Sequence, residues 1–346
     1  MGLNIREIVS RKEIDIFSLK GKTICVDAYN ALYQFLSTIR QYDGTPLMDS
    51  EKRITSHLSG LFYRNITLLS EGVRLIYVFD GKAPDLKAKT HKKREGDRDV
   101  AKDKYESAKS EEDIDNMKKY SSQLIRLDDG MIKESKELLE AMGVMVVQAD
   151  SEGEAEAAYL CRTNKEIYAS VSQDYDSLLF GAPILIRNLA SSRKKKTPVG
   201  YIEIKPELIN LEKLLEELGI NLDQLICLGI LVGTDYNPKG IPGIGQKRAL
   251  EIVKKHSEPE EIFKEVEDKI NELSEEDKFD WKEIFNLFKD YKVKDVELKF
   301  PRLDEAKIKD ILVNRHEFSL ERVEKQLDKL KELDKKKKQK SLGDWF

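Results

Sequence analysis

Four apolar runs in this chain each stop on acidic residues. KTICV ends at Asp27 and RLIYVF at Asp80; VMVVQA runs into Asp150, Glu152 and Glu154, and IYASVSQ ends at Asp174 and Asp176. Runs rich in Ile and Val, spaced by helical segments, read as buried strands of a parallel sheet. The C-terminal ends of such strands gather on one edge, where open α/β folds place their sites. Carboxylates crowded there repel each other and shift their pKa values upward unless positive charge sits among them. A pair of hard divalent cations, Mg²⁺ or Mn²⁺, is the simplest answer, because both prefer oxygen ligands.

The segments between the runs fit an α/β alternation. Residues 29–42 carry apolar side chains at helical spacing (Leu32, Phe35, Leu36, Ile39), and residues 54–69 repeat the pattern with Leu58, Leu61, Phe62 and Leu69. Residues 87–129 are charged and poor in large apolar groups, which makes them a disordered insert or a solvent-exposed helical lid. A helix over 130–142 and a strand over 144–147 resume the alternation. Short strands are predicted at 184–187 and 201–204, flanking an RKKK loop. After Pro206 the chain reads as mostly helix, over 208–218, 222–232 and 248–256, with a last helix marked by Val323, Leu327 and Leu330.

A length of 346 residues allows two domains or one large elaborated one. A charged fraction of 36% exceeds the usual quarter, and the abundance of Lys and Glu follows the trend of proteins from hot environments. The net charge of −4 does not advertise nucleic-acid binding, but its distribution does more. Basic residues cluster at 87–104, 193–196 and 335–338, acidic ones at 258–276. Cys25, Cys161 and Cys227 are scattered in apolar surroundings and read as buried thiols in a reducing compartment. Four dispersed His and no CxxC argue against a zinc site. The start MGLNIREI carries no signal peptide, Arg6 breaks a myristoylation motif, and no apolar stretch is long enough to span a membrane. The expectation is a soluble intracellular protein.

Each motif also has a bland reading. Asp174-Tyr175-Asp176 after a strand can turn two carboxylates to one metal, or form a structural turn; phosphatases of the haloacid-dehalogenase type place an Asp-x-Asp similarly. Ser151-Glu152-Gly153-Glu154 can ligate a metal, or serve as a capping box with Ser151 as N-cap and Glu154 at N3. Glu156, further into that helix, is expected to be exposed. Asp27 and Asp80 could each be caps, and Asp235 in GTDYNPKG a turn former. Only the constellation is specific. Gly240, Gly243 and Gly245 precede Lys247 and Arg248 between two helices; the backbone N–H groups can face a phosphate there, whereas a tight helical turn needs one glycine. A sequence-independent contact to a duplex backbone is the preferred reading. Lys87 and Arg94, seven apart, share one helix face and could reach a scissile phosphate over the carboxylate edge. Gln339, Leu342, Trp345 and Phe346 form an apolar plug on a charged tail, suited to a partner's pocket.

Taken in order, VDAYNALYQFL, YVFDGKAPDLK, SEGEAEAAYL, SQDYDSLLFG, VGTDYNPKGIPGIGQKRA and QKSLGDWF resemble the archaeal-type flap endonucleases, structure-specific 5′ nucleases, over essentially the whole chain. The resemblance implies a PIN/5′-nuclease-like α/β fold: a central, mostly parallel twisted sheet flanked by helices, with a helical arch insert and a C-terminal helical region containing a helix-hairpin-helix. It implies a nuclease core over residues 1–235 with the arch at 82–130, a duplex-binding helical region over 236–330, and a flexible basic tail over 331–346 that binds a sliding clamp. Metal-binding carboxylates fall on Asp27, Asp80, Glu152, Glu154, Asp174, Asp176 and Asp235. Lys87 and Arg94 fall on the arch residues that engage the scissile phosphate, Tyr33 on an aromatic that stacks on a base, and Arg40 on a basic wedge residue. The Gly2 amine is near the metals in relatives. Gly240, Gly243, Gly245, Lys247 and Arg248 fall on the duplex-holding turn, with K⁺ as a further cofactor there. Gln339, Leu342, Trp345 and Phe346 fall on the clamp-binding motif. Asp150 stands where relatives carry Pro and is left outside the site.

The implied activity is hydrolysis of DNA near the base of 5′ flaps, with 5′-3′ exonuclease activity, by two Mg²⁺ (Mn²⁺ as a substitute) in Okazaki fragment maturation and repair. The implied partners are DNA with a 5′ flap or nick and a sliding clamp, with no membrane; the chain is expected to be a monomer, in the cytoplasm at the nucleoid, or in a nucleus. The alternatives are a related 5′ exonuclease, a PIN-type ribonuclease, or a non-catalytic junction or clamp adaptor.

Overall fold

The structure is a computed structural model, and it describes residues 3–82, 84–111, 113–121, 123–189, 194–197, 200–291, 293 and 296–343. The apolar runs form strands: β1 (Lys12–Glu13), β2 (Thr23–Asp27), β3 (Arg74–Phe79), β4 (Met145–Gln148), β5 (Ile167–Val171), β6 (Ile184–Arg187), β7 (Lys194–Thr197), β8 (Gly200–Glu203) and β9 (Glu207–Asn210). One sheet has the order β1-β9-β6-β5-β2-β3-β4, and β7 and β8 form a separate antiparallel hairpin. Strands β2 to β6 are parallel, while β9 pairs antiparallel with β6 and β1.

The runs are apolar throughout because both faces of the sheet are covered. Ile24, Val26, Leu75, Tyr77 and Phe79 enter one core, while their neighbours Cys25, Ile76 and Val78 enter another. On the first face lie α1 (Ala28–Thr38), α2 (Ser56–Ser70) and, beyond the insert, α5 (Asp129–Ala141). The insert itself is helical, with α3 (Ala88–Ser110) and α4 (Ile114–Ser121), so the helical-lid alternative holds for its described residues. On the opposite side stand α6 (Gly153–Thr163), α7 (Asp176–Leu179), α8 (Leu211–Leu218), α9 (Leu222–Val232), α10 (Gln246–Lys255) and α11 (Pro259–Glu265). The short α12 (Glu267–Asn271) leads to α13 (Trp281–Lys289) on that same side.

The chain then crosses back. Val296, Leu298 and Phe300 pack against the core that holds Cys25, Ile76 and Val78, and α14 (Glu305–Lys309), a π turn (Asp310–Arg315) and α15 (Leu320–Gly343) return to the α2 and α5 face. Residues 236–330, read from the sequence as one region, therefore divide between the two faces of the sheet. His316, buried, stitches this return to the body: its Nδ1 lies 2.9 Å from Asp49 Oδ2 and its Nε2 3.0 Å from Glu134 Oε2. The last helix continues to Gly343, so the lysine run is helical where a flexible tail was expected. The basic loop at 193–196 is likewise corrected, since Lys194–Thr197 is a hairpin strand that pairs with β8. Strands β1 and β9 were not anticipated; two and four residues carry too little periodicity to stand out.

The strand order positions the site. β5, β2, β3 and β4 are adjacent, so the four acid-bearing ends lie side by side on one edge. The chain order reverses between β2 and β5, which makes their ends the switch point where such sheets bind ligands.

Candidate active site

The acids meet in a cleft of about 1030 Å³ at that edge, lined by Asp27, Asp80, Glu152, Glu154, Asp174 and Asp235. Among the described residues no Cys or His lines it. Asp27 ends β2 and is also a cap, because its Oδ1 accepts from Asn30 N at 3.0 Å. Asp80 follows β3, and its Oδ1 accepts from Gly153 N at 2.7 Å. A Cβ on Gly153 would stand 2.9 Å from both Asp80 Oδ1 and Val78 O, so only glycine lets α6 abut the end of β3. Glu152 is the N-cap position of α6 but makes no side-chain cap bond. Glu154 instead accepts from Ser177 N at 2.9 Å and Ser177 Oγ at 2.6 Å. The capping-box alternative is thus overturned: across the cleft, Ser177 holds the carboxylate that would have turned back on its own helix.

Asp174 is fixed from α1. Asn30 Nδ2 donates to Asp174 Oδ2 at 3.1 Å, and Gln173 N donates to Asn30 Oδ1 at 3.1 Å. Asp176 opens α7 and is buried, with Oδ1 lacking a hydrogen-bond partner among the described residues. Asp235 comes from the turn after α9, far from any strand. Its carbonyl accepts from Thr90 Oγ1 of α3 at 2.6 Å. Lys87, at the end of a short 3-10 turn (Asp85–Lys87), reaches Glu152 Oε1 at 2.8 Å and Asp235 Oδ2 at 3.5 Å. Tyr236, buried, donates to Glu152 Oε2 at 2.6 Å and lies beneath the Lys87 ammonium, 5.4 Å from its ring centroid.

The electrostatics follow from burial first and like charge second. Burial, then Asp80, Glu154 and Asp174, push the Asp27 carboxyl well above the usual range. Glu154 rises to about 8, from burial and then Asp174, against the Ser177 hydrogen bond. Asp176 rises through burial, Glu154, Asp174 and Asp235. Burial works against the Lys87 ammonium, but Glu152 and Asp235 outweigh it and raise its pKa. Among the described residues no three acids already converge on a common point; six of the expected acids ring the cleft with Lys87 between two of them, and Asp176 is buried outside its lining. The donor set fits hard cations: oxygen ligands only, a buried carboxylate oxygen without a partner among the described residues, and pKa values raised by burial and then by shared negative charge.

The remaining expected residues are placed as follows. Tyr33 is 40% exposed and lines the cleft. Arg40 is half-buried and turned to protein: Nε donates to Leu36 O, Nη1 to Gly44 O and Ser121 Oγ, and Nη2 to Ser121 O. Gly240 (φ +57°) and Gly243 (φ +76°) form the left-handed turn between α9 and α10, and Gly245 is the N-cap position of α10. Lys247 and Arg248 are exposed on the first turn of α10. Asp150 is exposed and does not line the cleft. Glu156, expected on the surface, is only 4% exposed: the segment carrying Tyr291 crosses α6 there, with Glu152 N donating to the Tyr291 hydroxyl. Arg94 lies on α3 and Gln339 and Leu342 on α15, but their side chains fall outside the described residues, as do Gly2, Trp345 and Phe346 entirely. Asn30, Thr90, Ser177 and Tyr236 were missed. Asn30, one turn after Asp27, and Tyr236, beside Asp235, had a sequence signal in that adjacency; Thr90 and Ser177 act through contacts no local pattern reveals.

The chain that builds this mostly parallel sheet, its acidic cleft and the helical insert beside it matches two XPG family models. The XPG N-terminal domain matches residues 3–101 and the XPG I-region residues 143–235. Flap endonuclease 1 of Thermococcus onnurineus is 49% identical over 348 residues, covering 100% of this chain and 99% of that one. Its counterpart from Aeropyrum pernix is 45% identical over 355 residues, covering both chains fully. The solved flap endonuclease-1 from Methanococcus jannaschii aligns with a TM-score of 0.74 at 38% identity, covering 97% of this chain and 100% of that one. The catalytic core of Rad2 in complex with DNA substrate shares the fold, with a TM-score of 0.68 at 22% identity over 95% of this chain and 100% of that one. The chain belongs to the flap endonuclease 1 family and is a 5′ flap endonuclease.

The raised acids make stability depend on pH with a definite sign. A carboxyl with a raised folded pKa binds its proton more tightly folded than unfolded. Its contribution is therefore present below the ordinary value and lost as pH rises through the folded one. For Glu154 that window runs from 4.5 to about 8. In EDTA the melting temperature should fall more steeply from about pH 5 to about pH 8 in the parent chain than in Glu154→Gln, and Mg²⁺ should raise it more at the higher pH. Equal slopes and no Mg²⁺ effect would contradict this electrostatic account.

Proposed function

We propose that the chain hydrolyses DNA near the base of 5′ flaps with two Mg²⁺ held by Asp27, Asp80, Glu152, Glu154, Asp174, Asp176 and Asp235, and also removes nucleotides from 5′ ends, in Okazaki fragment maturation and repair. The observation that carries this reading is the adjacency of four acid-bearing strand ends in one cleft, together with Asp235 from the turn after α9. When bound, the two cations would supply Lewis-acid stabilisation of the phosphate and acidify the attacking water, with Mn²⁺ able to substitute.

The protein's own groups bind and orient. Lys87, poised between Glu152 and Asp235, offers its ammonium to the scissile phosphate, and Arg94 on the same insert joins it. Tyr33 at the cleft wall presents an aromatic face for a base beside the cut. Gly240, Gly243 and Gly245 leave the start of α10 open to a phosphate, with Lys247 and Arg248 exposed beside it and K⁺ as a further ligand of the turn. Duplex held at this turn would place its backbone beside Asp235, and a free 5′ strand would pass beneath α3 and α4. Recognition would then rest on the shape of the junction rather than on base edges. The tail residues Gln339, Leu342, Trp345 and Phe346 would dock in a sliding clamp.

Asp174→Asn keeps an acceptor for Asn30 and removes one charge. It should lower cleavage of a labelled 5′ flap by more than about 100-fold, beyond what outer-shell changes alone produce, while binding persists. Unchanged turnover would remove Asp174 from the site, and equal degradation of single-stranded RNA by the parent chain would favour the ribonuclease alternative. Phe346→Ala should leave cleavage of free flaps intact and abolish stimulation by a clamp; stimulation that survives would disprove the tail assignment.

A further inference from the structure

Arg40 makes a clasp whose role the cleft itself explains. It follows α1, at the start of the tight connection in which Arg40 bridges to Pro46 and Gln41 N donates to Thr45 O at 2.8 Å. Its Nε donates back to Leu36 O at 2.9 Å, which orients the guanidinium. Nη1 then donates to Gly44 O at 2.6 Å and to Ser121 Oγ at 2.9 Å, and Nη2 to Ser121 O at 3.3 Å. Ser121 is 8% exposed, and its hydroxyl donates to the same Gly44 carbonyl at 2.9 Å. Ser121 is the last residue of α4, where the insert returns to the body, and Gln123 and Ile125 just beyond it line the carboxylate cleft. The other foot of the insert is held by Thr90 on the Asp235 carbonyl.

We infer that Arg40 is a positioning residue: its fork pins the returning foot of the arch at Ser121 to the Gln41–Thr45 turn and so fixes one wall of the cleft, rather than contacting DNA. Its acceptors are carbonyls and a hydroxyl spread around a planar group, so the clasp uses the geometry of the guanidinium as well as its charge. A lysine ammonium is a point donor on a flexible stem and cannot span Leu36, Gly44 and Ser121 together. The inference rests on the arch reading above only for its effect on cleavage; the clasp is a property of the free protein.

Hydrogen exchange of the DNA-free protein tests it, with flap kinetics alongside. In Arg40→Lys, amide exchange over residues 114–126 should speed by about tenfold or more, the effect of losing a charge-assisted hydrogen bond, while β2 and β3 keep their protection. Ser121→Ala, which keeps the carbonyl acceptor, should move the same segment in the same direction by less. On a 5′ flap, kcat should fall several-fold while affinity for a nicked duplex without a flap stays at the parent value. Unchanged exchange over 114–126, or weakened nicked-duplex binding with normal exchange, overturns the inference and returns Arg40 to the DNA. A parent chain that failed to cut flaps would sink the functional reading while leaving the exchange result standing.

Discussion

Repulsion among buried carboxylates is the constraint on which the rest of this molecule depends. At an effective dielectric of about 20, two like charges about 6 Å apart repel by about 3 kcal/mol, and net domain stability is about 5–15 kcal/mol. A few such pairs equal the whole margin. The fold meets that cost with a sheet buried on both faces, which holds the ends of β5, β2, β3 and β4 in fixed register. Around them, Asn30, Ser177, Gly153 N and Tyr236 each hold one acid, while Lys87 neutralises part of the charge. What remains uncompensated raises the acids and favours divalent cations.

The same contacts couple chemistry to substrate geometry. Asp235 belongs both to the cleft and to the approach to the glycine-rich turn, and its carbonyl holds the first foot of the arch through Thr90. Lys87 arrives on that foot and pairs with Glu152 and Asp235 at once. The insert and the acids therefore share residues at Lys87, Thr90 and Asp235, so a change in one is felt by the other. The Arg40 clasp gives the second foot an equivalent fixture.

Much of this was legible in the sequence, for a physical reason. Strands buried on both faces must be apolar throughout, so an acid that ends such a run stands out, and four of them mark an edge. Asp235 ends no strand, and it entered only through the resemblance of its neighbourhood. What local pattern does not carry is set by tertiary contacts. The capping-box alternative at Glu154 falls, and the metal-ligand reading is left standing, because Ser177, reached only in the fold, takes its oxygen. Glu156 had the look of a surface residue until the Tyr291 segment covered α6. Arg40 is expected at the DNA from its charge alone; that its acceptors in the free protein include Ser121, 81 positions away, is not visible in the local sequence. The return of the chain to the α2 and α5 face buries Ile308, Ile311, Leu312, Val323, Leu327 and Leu330, and His316 adds contacts to Asp49 and Glu134 that no periodicity encodes.

The central claim is that these seven acids hold the cations that cut the flap. Anomalous diffraction from crystals soaked in Mn²⁺ tests it most directly. Two peaks about 3.5–4 Å apart are expected inside the cleft, within ligand distance of carboxylates from both the β2–β3 and β4–β5 ends. No peak in the cleft at saturating Mn²⁺, or occupied sites only elsewhere on the molecule, would contradict it.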